Sequence, residues 1–72
     1  MVDIEALKEA ISESGKSMTR IANEAGMIRE TLYNRLNGIG EFTASEIVGL
    51  SKALNFTKKK RDSIFFKKVE LN

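Results

Sequence analysis

The chain has 72 residues, 12 Lys and Arg against 10 Asp and Glu, a formal charge of +2, and neither Cys nor His. That length suits one domain with a small apolar core. Without Cys or His there are no disulfides, thiolate zinc sites or histidine-based catalysis, and the apolar runs are too short to span a membrane.

The opening residues, Met1-Val2-Asp3-Ile4-Glu5, put an acid where a secretory signal carries basic residues. No apolar stretch or small-residue cleavage site follows, so a cytoplasmic protein is expected. Ile4, Leu7 and Ile11 follow helical spacing, and a first helix is predicted over residues 3–14, stopped by Gly15. Ser17 is placed to cap a second, short helix from Met18 to Ala25, with Ile21, Ala22 and Ala25 inward and Gly26 ending it. A third helix is predicted over residues 28–37, with Leu32 and Leu36 inward and Gly38 closing it.

Residues 39–42 read as a loop with Phe42 as its apolar plug. Thr43-Ala44-Ser45-Glu46 has the form of a capping box. The helix behind it carries Ile47, Leu50 and Leu54 on one stripe, and Gly49 within it suggests a close helix approach. Asn55-Phe56-Thr57 breaks that helix, and Thr57 caps a last one containing Ile64 and Phe65. No Pro interrupts the chain. The prediction is a single all-α domain of five short helices.

Residues 18–37 carry the functional signal. Two helices joined at Ala25-Gly26-Met27 need a residue that accepts φ > 0 at the corner and a small side chain where they touch. Gly26 and Ala22 meet those needs. The second helix of such a pair projects its first side chains outward, a shape that fits the major groove of DNA.

Residues 21–26, Ile-Ala-Asn-Glu-Ala-Gly, and residues 29–38, Arg-Glu-Thr-Leu-Tyr-Asn-Arg-Leu-Asn-Gly, resemble the Cro/repressor family of phage helix-turn-helix regulators, of the lambda-repressor-like, XRE type. Residues 41–50 and 61–66 are similar to small regulators encoded in prophages and mobile elements of Gram-positive bacteria, so the likeness covers nearly the whole chain. The resemblance implies a compact five-helix fold, a third helix in the major groove of an operator, and often a dimer on a near-palindromic site. It places Arg29, Glu30, Tyr33 and Asn34 against the bases. Arg29 would donate to a guanine edge, Asn34 would pair an adenine, and Glu30 would accept from cytosine N4. Lys16, Ser17 and Thr19 would hold one phosphate, and Asn37, Thr43 and the amides around Ile39 and Gly40 another.

One residue departs from the family pattern. Ile28 stands where the family usually has a Ser or Thr cap, so it needs a compensating contact. Burial beside Met27 is the favoured expectation, ahead of packing on a thymine methyl. Simpler readings stand beside these. Arg29 with Tyr33, and Glu30 with Asn34, are i, i+4 pairs that support any exposed helix. Arg35 faces elsewhere, with solvent favoured over a phosphate, and residues 58–61 read as a solvated basic run.

Two adjacent Phe residues at 65 and 66 cannot both enter one core. Phe66, Val69 and Leu71 are therefore assigned to a homodimer contact, a frayed tail being the alternative. An operator-binding regulator is thus the first reading. A protein-interaction module, such as an antirepressor or toxin antidote, is the second, and exposed Val48, Phe66 or Val69 would count for it. No nucleophile–base arrangement or phosphate-cradling loop argues for an enzyme, and no metal, cofactor or small-molecule ligand is expected.

Overall fold

The computed structural model describes residues 1–67. They form α1 (Ile4–Glu13), α2 (Met18–Ala25), α3 (Arg29–Leu36), α4 (Ala44–Ala53) and α5 (Lys58–Phe65), with no strand among the described residues. Four of the five helices start on a side-chain cap. The Asp3 carboxylate accepts from the Ala6 amide at 3.1 Å, and Ser17 Oγ from Arg20 at 3.1 Å. Thr43 Oγ1 accepts from Glu46 at 3.2 Å, and Thr57 Oγ1 from Lys60 at 3.1 Å. Thr43 and Glu46 complete the expected capping box, since the Thr43 amide donates to Glu46 Oε1 at 2.9 Å. The exception is α3, whose N-cap Ile28 offers no acceptor.

Three helices end in one motif. The amides of Met27, Ile39 and Phe56 reach back five residues to the carbonyls of Ala22, Asn34 and Ser51, at 2.8, 2.9 and 2.8 Å. Each bond requires a left-handed residue just before the donor. Gly26 (φ 72°) and Gly38 (φ 81°) supply two of them, and Asn55 (φ 56°) the third.

Every helix contributes one fully buried aliphatic side chain to a shared core: Leu7, Ile21, Leu32, Leu50 and Ile64. Burying one such residue stabilises the fold by ~1.5–3 kcal/mol. Phe42 plugs the core rim as the sequence suggests, meeting Phe65 edge-to-face with centroids 5.5 Å apart. Phe65 is buried and Phe66 exposed, so the adjacent pair divides as expected. The N-terminal residues are tied to the end of α5. The Asp3 amide donates to the Ile64 carbonyl at 2.7 Å and the Lys67 amide to the Met1 carbonyl at 3.1 Å. Val69 and Leu71, assigned above to a dimer contact, lie outside the described residues.

The most extensive helix contact joins α2 to α4. It depends on Gly49, where an added Cβ would fall on the Ala25 carbonyl oxygen and 2.9 Å from the carbonyl carbon. Backbone cannot yield there as a flexible side chain could. Gly49→Ala is expected to lower stability by about 1–3 kcal/mol through overpacking. Its exposed neighbour Val48→Ala should change stability by less than about 0.5 kcal/mol. Denaturant unfolding of the two variants checks the difference.

Candidate functional site

The α2–α3 corner sets the geometry of the candidate surface. Gly26 caps α2 in the left-handed region, so the chain reverses within Gly26, Met27 and Ile28 before α3 begins. Leu32 and Leu36 seat α3 on the core at 0% and 7% exposure. That fixes which side of the helix faces out. Arg29, Glu30, Tyr33 and Asn37 are exposed there, while Thr31 and Asn34 are half-buried at the margin. The structure thus brings Arg29, Glu30 and Tyr33 together on one outward face, with Asn34 at its edge.

Flanking groups behave less uniformly. Ser17 and Thr19 are exposed at the start of α2, where Ser17 Oγ already accepts from the Arg20 amide. Asn37 donates one side-chain amide hydrogen to the Tyr33 carbonyl at 2.9 Å, which leaves its second hydrogen and its carbonyl oxygen for another partner. Thr43 is exposed but serves the capping box and also contacts Ser45 Oγ at 3.2 Å.

Four expectations change. Lys16 was assigned to a phosphate, but its ammonium donates to Glu24 Oε1 and to the Ala53 carbonyl, both at 2.7 Å. The packing of α2 along α4 brings that ammonium to the last carbonyl of α4, the negative end of a helix dipole, where a cation is favoured. The Ile39 amide was also assigned to a phosphate, but it is spent on the Asn34 carbonyl in the α3 end motif.

The third change concerns Ile28. It is not buried beside Met27; it is 72% exposed, because Met27 already fills the half-buried place against the core. The fourth is Arg35, favoured above for solvent, which is half-buried. Its Nη1 donates to the Ile39 carbonyl at 3.1 Å and its Nε to Glu46 Oε1 at 3.3 Å, pinning the end of α3 to the start of α4. Sequence spacing carries no sign of either lysine or arginine clamp, since Lys16–Ala53 and Arg35–Glu46 form only once the helices have packed.

Glu24 gathers two cations, Lys16 at 2.7 Å and Arg20 at 2.8 Å. Hydrogen bonds from Lys16 and then Arg20 hold its carboxyl below the ordinary value of 4.5. A carboxyl depressed in the folded state stabilises the fold above its unfolded pKa, and that contribution is lost as pH falls through the folded value. Glu24→Gln should therefore melt below the wild type at pH 7. The gap should narrow once the pH drops below about 4.5. Thermal melts at low ionic strength between pH 7 and pH 3 check the sign, and a gap that widens in acid would contradict it.

Among the described residues, no helix is long and apolar enough to cross a membrane. No protein-family model matches the chain. No solved structure matches it either. The chain is 34% identical over 65 residues to an uncharacterized protein of Haemophilus influenzae, a match that spans 88% of this chain and 67% of that protein. On that identity and coverage, the chain belongs to the same family as the Haemophilus influenzae protein.

Proposed function

We propose that this protein is a sequence-specific DNA-binding regulator of the Cro/repressor, helix-turn-helix type, with α3 entering the major groove of an operator. One observation carries the reading. A short helix hung from a left-handed glycine corner turns Arg29, Glu30, Tyr33 and Asn37 outward while Leu32 and Leu36 hold its other side. Arg29 is the principal base-reading group, donating two hydrogen bonds to a guanine edge, and Asn34 pairs an adenine from the margin. Ser17, Thr19 and Asn37 hold phosphates. Ile39 is left out of that set because its single amide hydrogen is spent, and Lys16 and Arg35 because their head groups are held between helices by Glu24 with Ala53 and by Ile39 with Glu46. The regulator acts passively in the cytoplasm, as a dimer on a near-palindromic site, by occupying DNA that polymerase needs.

A second reading has its own support. Ile28, Tyr33 and Ile39 are exposed on α3 and its flanks, and Val48 and Phe66 are exposed elsewhere. Apolar side chains in water suit a protein-interaction module, such as an antirepressor or a toxin antidote.

Selection of binding sites from random duplex DNA at two salt concentrations separates the two. An enriched inverted repeat supports the operator-binding dimer. Retention without enrichment, lost at the higher salt, leaves only electrostatic attraction and favours the interaction module. On an enriched site, Arg29→Ala should cost about 1–3 kcal/mol, with little change on random DNA. Lys16→Met should lower the melting temperature yet leave the salt dependence of binding unchanged, whereas a lost phosphate contact would reduce that slope by about 0.9.

A further inference from the structure

We propose that the groove between α4 and α5 is a docking site for an acidic segment of a partner protein that carries one large apolar side chain. The groove has a volume of about 640 Å³ and is open to solvent, a form that suits a chain segment better than an enclosed small molecule. Val48 and Phe56 supply its apolar part, Lys52, Lys58 and Arg61 its charged part, and Asn55 lies at the bend between the helices. Among the described residues, no Asp or Glu lines it. An apolar patch beside three cations is complementary to a segment of opposite charge with an apolar anchor.

Folding does not account for these side chains. Val48 is 49% exposed within α4, so its methyl groups serve no core. Lys58 stands in the first turn of α5, at the positive end of the helix dipole, where an acid is favoured. No ion pair of the described residues reaches Lys52 or Lys58. Arg61 gives Nε and Nη2 to Asp62 Oδ1, at 3.0 and 2.9 Å, which leaves Nη1 for another acceptor. Lys59 and Lys60, on the same turn as Lys58, lie outside the groove. The lining takes no residue from α3 and none of those assigned to bases or phosphates. Docking here therefore goes beyond operator binding and does not depend on it.

The probe comes from a library of short random peptides, selected at low salt on the immobilised full chain. Enriched peptides are expected to carry several Asp or Glu around a Leu, Ile, Phe or Trp. Added to the isotope-labelled full chain, such a peptide should shift the amide NMR signals of Val48, Lys52 and Asn55 and leave those of Arg29 and Tyr33 in place. Lys58→Glu should bind it about tenfold more weakly, because like charges then face each other. The same variant should melt no lower than the wild type, since an acid suits that helix start. Val48→Ala should bind about fourfold more weakly, the equivalent of one buried methyl. Lys59→Glu makes the same change of net charge outside the groove and should have a much smaller effect. An equal loss in Lys59→Glu would reduce the attraction to net charge and overturn the site. So would enriched peptides without acids, no enrichment at all, or shifts centred on α3. Shifts of the groove amides with concentration of the chain alone would assign the groove to a second copy and overturn the partner peptide. None of these outcomes bears on operator binding, which the DNA selection tests separately.

Discussion

The approach of the α2 backbone to Gly49 is the constraint from which the rest of the arrangement follows. With hydrogen in place of a side chain, Gly49 lets the Ala25 carbonyl lie against α4, at the last residue before the Gly26 corner. A glycine inside a helix costs roughly 0.5–1 kcal/mol relative to alanine, so its presence in the middle of α4 works against that helix alone. The close contact offsets the cost by seating α2, and the seat of α2 sets the direction in which α3 leaves the corner. Lys16 reinforces it from the other end of α2, bridging Glu24 and the final carbonyl of α4. A second link, Arg35 to Glu46, holds the far end of α3 to the first turn of α4. The outward face of α3 is therefore positioned through α4, although α4 contributes no side chain to it.

This arrangement divides the cations by use. Lys16 and Arg35, with side chains at 20% and 21% exposure, tie helices together. Arg29 is exposed on the outward face and belongs to no ion pair of the described residues. An excess of only two positive charges over the whole chain thus understates the local situation. What matters to an anion is which cations remain after folding has used the others. Residues 58–60 add exposed positive charge at the start of α5, where the helix dipole opposes it, and no ion pair of the described residues reaches them. Binding to such a solvated run would be screened by salt more readily than binding to a positioned guanidinium.

Local signals explain why the five helices were legible in the sequence. Caps and left-handed stops act within five residues, so Ser17, Thr43, Thr57, Gly26 and Gly38 mark the ends of helices before any tertiary contact forms. The inward faces were legible for the same reason, since Leu32 and Leu36 are four residues apart on one side of α3. Links between helices were not. Lys16 meets a carbonyl 37 residues away, and nothing near it in sequence distinguishes it from a lysine in solvent. Ile28 was misjudged by a rule that is sound on average. An apolar residue without a cap role tends to be buried, but at this turn Met27 packs against the core and Ile28 stays exposed. The outward face of α3 follows from periodicity, whereas what it touches is a matter of chemistry that periodicity does not encode.

An uncapped helix in a chain this small raises the question of what keeps α3 formed. A missing cap costs typically ~0.5–2 kcal/mol. Full burial of Leu32 and near-full burial of Leu36 each stabilise by ~1.5–3 kcal/mol, and either one outweighs the missing cap. Glu30 also offsets part of it, as an acid in the first turn of α3 facing the positive dipole end. Support for α3 therefore comes from its buried face and its C-terminal end, through Leu32, Leu36 and Arg35. Its first residues, Ile28 and Arg29, are exposed and lack a side-chain cap. In a fold whose other helices begin on side-chain caps, α3 is the one whose formation rests on its buried face and its far end, not on its first residue.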